Sequence, residues 1–323
     1  METKKCWTTL MTVKSYLPGV ICLAKSLMRV KTRFPLLVLV PNIESEETDL
    51  SREDYDELIK IGSNYDFRFI EIKEINRVHW NASRYIWDHF KEVSTKIRVW
   101  DIEGYDLVGF LDADMCVIRN MDELLELDLD ENTIAACHAC TCNPLKNPLY
   151  PKSWTPDNCA YTKGSIYPES NNVPPITNSE SYFNSGMMIL HPSKSKFNEI
   201  FNHLTNHKNP DKIPFPDQDL LNEVYKGNWI GLPYIYNALK TLRNCHSSIW
   251  SDKHVKNVHY IIIDKPWKED IVKMRAVNVD ERGDIWVLNN WWWKVYNDEE
   301  WEDGDFEDIV ALNGNYMKNG IRI

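Results

Sequence analysis

Two short runs limit what this chain can fold into. Leu36-Leu37-Val38-Leu39-Val40 is apolar at every position, and Leu107-Val108-Gly109-Phe110-Leu111 at four of five. A strand with one face in water alternates polar and apolar residues; a run apolar throughout must be covered on both faces, as in a parallel sheet between two layers of helices. The neighbouring segments fit. Cys6 to Thr12 reads as a first strand, and Pro18 suits the first turn of a helix whose Val20, Leu23, Ala24 and Leu27 share one face. Ser51 with Asp54 three residues on predicts a helix start, Phe67 to Ile72 a third strand, and 83–100 helical sequence. Strand then returns over 106–111. Such alternation implies right-handed crossovers, hence an α/β fold with a Rossmann-like, mostly parallel sheet flanked by helices.

Past His138 the periodicity lapses. Residues 139–180, rich in Pro, Asn and Ser, predict an irregular excursion beside the sheet. Strand character resumes from Tyr182 to His191. Ser193 caps a helix carrying Phe197, Ile200, Phe201 and Leu204, Asp217 is placed to cap another running to Tyr225, and Val258 to Ile263 is a short apolar run. Trp291, Trp292 and Trp293 are consecutive and point in different directions, so packing of the C-terminal segment is expected rather than one stacking platform. The division expected is one domain over 1–296 and an acidic tail over 297–323, too polar to enter the core.

Net charge is −11, and eight acidic residues with no lysine or arginine among them lie between Asp298 and Asp308. That balance excludes nucleic acid as the main partner. No apolar run is long enough for a membrane span. Eight cysteines without a signal-like N-terminal pattern predict a reducing, cytoplasmic setting.

The second apolar run ends in Asp112-Ala113-Asp114. Ligands of open α/β sheets bind beyond the carboxyl ends of the strands, where two carboxylates can hold a hard divalent cation such as Mn²⁺ or Mg²⁺. An ordinary acidic turn has the same sequence. Further stretches add to it: Thr9-Leu10-Met11-Thr12 with Tyr16 and Gly19, Lys96-Ile97-Arg98-Val99-Trp100, Phe183-Asn184-Ser185-Gly186, Asp217-Gln218-Asp219-Leu220-Leu221-Asn222, and Val258-His259-Tyr260 followed by Lys265-Pro266-Trp267. Together, and in this order, they resemble glycosyltransferase family 8, which includes glycogenin and galactinol synthase. Cys140-Thr141-Cys142-Asn143-Pro144 is similar to the galactinol-synthase-like branch.

The resemblance implies a GT-A fold and retaining, Mn²⁺-dependent transfer of a hexose from a UDP-sugar (UDP-glucose, UDP-galactose or UDP-N-acetylglucosamine) to a sugar, polyol or glycan hydroxyl. It makes Asp112, Asp114 and His259 metal ligands, with Ala113 between the acids. Leu10, Thr12, Val13 and Tyr16 would hold the uracil and ribose, Val13 standing where the glycogenin branch has asparagine. Lys96 and Arg84 would face the donor phosphate or sugar, Asn184 the sugar, and Asp217 with Gln218 the anomeric carbon. Lys265 would neutralise the departing diphosphate. With no clear carboxylate nucleophile, front-side attack within an ion pair is favoured, and a covalent intermediate would need Asp217 or a neighbour. Pro214 replaces another aspartate of glycogenin. The tyrosine that glycogenin glucosylates on itself falls near Asn244, so that acceptor is missing. A self-glucosylating protein and an inactive sugar-nucleotide-binding module stay open as alternatives, and family members are often dimers.

Outside these motifs, Cys137, His138, Cys140, Cys142 and Cys159 are closely spaced. They suit either a structural metal or packed free thiols, and match no standard finger spacing.

Overall fold

The computed structural model describes residues 3–42, 48–63, 70–78, 88–163, 182–207, 215–262, 265–276 and 284–306. Their strands are β1 (Lys5–Leu10), β2 (Leu36–Pro41), β3 (Ile70–Ile75), β4 (Leu107–Leu111), β5 (Met115–Val117), β6 (Ile134–His138), β7 (Phe183–Leu190), β8 (Trp229–Leu232), β9 (Ala238–Leu239) and β10 (Asn257–His259). The helices are α1 (Leu17–Arg29), α2 (Arg52–Ser63), α3 (Ala160–Lys163), α4 (Lys194–Thr205), α5 (Pro216–Val224), α6 (Leu242–Cys245), α7 (Ile271–Ala276) and α8 (Asp284–Tyr296). The helical sequence before Trp100 winds as a 3₁₀ segment, Asp88–Asp101. Among the described residues no helix is long and apolar enough to cross a membrane.

A seven-stranded sheet runs β3-β2-β1-β4-β7-β6-β8 among the described residues. All its pairings are parallel except those of β7, which opposes both β4 and β6. Both apolar runs are covered on both faces, as expected. Leu36, Val38, Val40, Leu107 and Leu111 enter one core layer with α1, while Leu37, Leu39, Val108 and Phe110 enter the opposite layer with α4 and α5. Each such aliphatic side chain removed from water contributes about 1.5–3 kcal/mol. That burial outweighs the backbone entropy of ordering the strand and fixes where β4 ends.

Two helix starts use side-chain caps. Ser51 and Asp54 cap α2 reciprocally, and Ser193 Oγ accepts from the Lys196 N–H at α4. The third differs from expectation: Asp217 does not cap α5. Phe215 is the capping residue, and its N–H donates to Asp219 Oδ2 at 2.8 Å. Pro216 already occupies the first turn, so Asp217 turns into the interior.

A smaller sheet, β5-β10-β9, sits beside the first. Its core includes Leu288, Trp291, Trp292 and Val295 of α8, so the tryptophans pack this segment down as expected. The start of the acidic segment is fastened by ion pairs. Asp298 pairs with Lys25 at 2.6 Å, Glu299 with Arg275 at 2.7 Å and Asp305 with Lys294 at 2.7 Å, while Phe306 packs on Trp291. The cations that hold these acids come from α1, α7 and α8.

Candidate active site

Strand pairing assembles the site. Because β7 opposes β4, the end of β4 meets the beginning of β7: Leu111 lies opposite Met187, and the Asp112 N–H donates to the Gly186 carbonyl at 2.8 Å. Asn184 and Ser185 therefore stand beside Asp112. Beyond Asp114 the chain enters β5, whose Met115 pairs with His259 of β10, and the Tyr260 N–H donates to the Asp114 carbonyl at 2.9 Å. His259 reaches the two aspartates through that pairing. Gly19 lets α1 press against the same turn; a Cβ on it would stand 2.4 Å from the Ala113 carbonyl oxygen.

His259 Nε2 lies 3.3 Å from Asp114 Oδ1 and 3.7 Å from Asp112 Oδ2. One atom each from Asp112, Asp114 and His259 falls within 4.8 Å of the others. The tautomer follows from the hydrogen bonds. Asn237 Nδ2 donates to Asn184 Oδ1, so Asn237 Oδ1 accepts from His259 Nδ1–H at 2.9 Å. Nε2 is the ring nitrogen that faces the aspartates, the atom through which a neutral imidazole would ligate a metal. Two carboxylates and one imidazole make a donor set that fits Mn²⁺ better than Ca²⁺.

Two buried ammonium groups flank this cluster. Lys265 Nζ donates to Asp114 Oδ2 at 2.5 Å and to the Tyr260 carbonyl at 2.6 Å. Lys96 Nζ sits between Asp112 at 3.0 Å and Asp217 at 2.6 Å. Burial opposes the charge on Asp114, but Lys265 and His259 prevail and hold its carboxyl well below the usual range. Desolvation wins at Asp112, whose carboxyl is raised despite Lys96. Burial likewise opposes charge on Lys96, and Asp112 and Asp217 overcome it, raising its ammonium above the ordinary value. Three carboxylates thus face two ammonium groups and an imidazole, and the excess of acidic groups suits a divalent cation.

Asn184 and Gln218 continue the network. Gln218 Oε1 accepts from Asn184 Nδ2 at 2.9 Å and from the Ser185 N–H at 3.2 Å. Asp217 Oδ2 accepts from Ser185 Oγ at 2.8 Å besides Lys96.

All of these groups open on one cavity of about 290 Å³, which Leu10, Thr12, Val13, Tyr16 and Ala113 also line. Tyr16 meets Trp267 edge to face with centroids 5.7 Å apart. Arg84 and Pro214 lie outside the described residues. The lining also includes Asn143 of the Cys140–Pro144 stretch and three residues that no motif marked, Tyr150 and Trp154 from the excursion and Phe215. Trp154 and Phe215 stack at 4.8 Å and 11°, with Tyr150 edge-on to both. For Tyr150 and Trp154 the one sequence signal was aromatic residues in an otherwise polar excursion. Asn237, which fixes the histidine, carried none.

Comparison with known proteins agrees with this architecture. The model of "Glycosyl transferase family 8" matches residues 8–271. Galactinol synthase 1 of Ajuga reptans is 29% identical over 299 residues, covering 92% of this chain and 81% of that protein. Galactinol synthase 4 of Arabidopsis thaliana is 29% identical over 287 residues, 88% of this chain and 78% of its own. Among solved structures, galactosyltransferase LgtC in complex with donor and acceptor sugar analogs aligns with a TM-score of 0.55 at 16% identity, over 93% of this chain and 98% of its own. Apo-form glycosyltransferase GlyE of Streptococcus pneumoniae TIGR4 aligns at 0.58 and 18% identity over 91% of this chain, which spans 60% of the GlyE chain. At these identities the structural likeness is one of fold, GT-A.

Proposed function

The chain belongs to glycosyl transferase family 8, which makes it a nucleotide-sugar-dependent hexosyltransferase, and from that premise we propose retaining, Mn²⁺-dependent transfer of a hexose from a UDP-sugar to a polyol or sugar hydroxyl. The observation that carries the reading is the convergence of Asp112, Asp114 and His259 ligand atoms within 4.8 Å, with Lys265 bonded to the same aspartate. Asp112, Asp114 and His259 would hold the cation, which when bound supplies positive charge to the two phosphates of the donor. Lys265 adds a proton-donating ammonium where the diphosphate leaves. Tyr16 offers a ring face to the base, and Leu10, Thr12 and Val13 the walls around it. Lys96 places its ammonium between Asp112 and Asp217 in a desolvated place.

Asp217 Oδ2 already accepts from Ser185 and faces Lys96. A carboxylate tied in this way is a poor nucleophile, which favours front-side attack over a covalent intermediate. Asn184 and Gln218 would orient the donor sugar. On the acceptor side, the Tyr150, Trp154 and Phe215 wall suits the apolar face of a sugar or cyclic polyol. Because the relatives are galactinol synthases, UDP-galactose is the first donor to try and a cyclitol the first acceptor.

The test is UDP release from UDP-galactose, UDP-glucose and UDP-N-acetylglucosamine, each with Mn²⁺ or chelator and with myo-inositol, free sugars or no acceptor. Mass spectrometry of the protein accompanies it. Acceptor-stimulated, Mn²⁺-dependent release with one donor is expected. Sugar added to the protein itself would instead indicate self-glycosylation, and binding without release from any donor would indicate an inactive module.

A further inference from the structure

A second convergence of metal-ligating side chains lies apart from the aspartates. Cys140 and Cys142 follow β6, Cys159 precedes α3, and His246 closes α6. His246 Nε2 is 3.5 Å from Cys140 Sγ, 3.1 Å from Cys142 Sγ and 3.5 Å from Cys159 Sγ, and Cys159 and Cys140 sulfurs are 4.0 Å apart. One atom from each of the four falls within 4.8 Å of the others.

These spacings match a tetrahedron of zinc ligands. With bonds of about 2.3 Å to sulfur and about 2.0–2.1 Å to nitrogen, tetrahedral edges are about 3.8 Å between sulfurs and about 3.5 Å from sulfur to nitrogen. A disulfide would need sulfurs at about 2.05 Å, and all eight cysteines are free. The sequence neighbours are excluded by direction: Cys137 Sγ donates to the Pro233 carbonyl, and the His138 ring packs on Trp229.

We propose that Cys140, Cys142, Cys159 and His246 bind a structural Zn²⁺ ion. Four protein ligands close the coordination sphere, so the ion is structural rather than catalytic. Soft thiolates select zinc here, while the carboxylate site selects a harder ion, so one chain sorts two metals by donor chemistry. The ion ties two points of the excursion, Cys140 and Cys159, to the turn after α6, and so fixes the stretch between them. Between those points lie Asn143, Tyr150 and Trp154, which line the cavity. Zinc therefore holds the aromatic wall in place. Cys245 stands next to Cys140 as a neighbouring thiol outside the four.

The test is elemental analysis of full-length protein purified under reducing conditions and dialysed against EDTA at neutral pH. About one zinc per chain is expected, held equally by Asp112→Asn/Asp114→Asn and Cys245→Ser, kept by His246→Cys, and lost from Cys140→Ser/Cys142→Ser. Should the cysteine variants fail to fold, the wild-type protein still decides: titration with a mercurial reagent should release zinc to a chromophoric indicator as these thiols react. Wild-type protein that holds no zinc and takes none up when zinc is added overturns the proposal. So does iron in its place, or zinc that vanishes with the aspartate substitutions.

Discussion

Gly186 has no room for a methyl group, and Gly186→Ala perturbs the metal site without replacing any ligand. A Cβ there would stand 2.3 Å from His259 Cε1 and 2.9 Å from both Asn184 Oδ1 and Asp112 Oδ2. Carbon atoms in ordinary contact are about 3.5–4.0 Å apart, so the imidazole must retreat by roughly 1 Å. It cannot swing freely, being 3% exposed and bonded to Asn237. Overpacking of this kind costs about 1–3 kcal/mol of stability. Disturbing one ligand of three should weaken metal binding about 10–100-fold, the range seen when ligand support is lost. That corresponds to about 1.4–2.7 kcal/mol. The assay is the Mn²⁺ concentration for half-maximal UDP release, with a thermal melt of the same preparation. Half-saturation should rise at least tenfold, with a smaller loss of rate at saturating Mn²⁺. An unchanged half-saturation would refute the reasoning, since the steric conflict leaves His259 nowhere else to go.

Three further substitutions separate metal support, charge balance and core packing. Asn237→Ala removes the acceptor that fixes the His259 tautomer and should raise the Mn²⁺ requirement by about 10–100-fold, measured as above. Lys96→Met leaves Asp112 and Asp217 facing each other in a desolvated place; a loss of about 3–5 kcal/mol in urea unfolding is expected, and an unshifted midpoint would contradict the pairing. Trp291→Ala removes a fully buried ring that donates to the Asp305 carbonyl. It should cost about 3–5 kcal/mol in unfolding while leaving the Mn²⁺ requirement within about twofold.

What could be read in the sequence was what local chemistry announces. Leu36–Val40 and Leu107–Leu111 declared a two-sided sheet because every position faces a core. The order of motifs from Leu10 to Lys265 announced the family. Two three-residue strands were invisible: Met115–Val117 and Asn257–His259 are too short to show alternation, yet their pairing is what brings His259 to Asp114. Helix α8 was missed because Val287, Leu288 and three tryptophans leave no polar stripe to reveal a period. Asp217 looked like a cap because it follows Pro216; its partner Lys96 lies across the fold. His246 is 87 residues from Cys159, so no spacing rule could join them.

If the Asp112, Asp114 and His259 cluster holds the cation, sugar transfer depends on a divalent ion. The measurement that bears on it most directly is UDP release by chelator-treated wild-type protein and by Asp114→Asn, across a Mn²⁺ titration with the preferred donor. Release should start from baseline and saturate with Mn²⁺ in the wild type, and be absent at any Mn²⁺ concentration in a folded Asp114→Asn. Full release in chelator, or a wild-type titration curve from Asp114→Asn, would contradict that dependence.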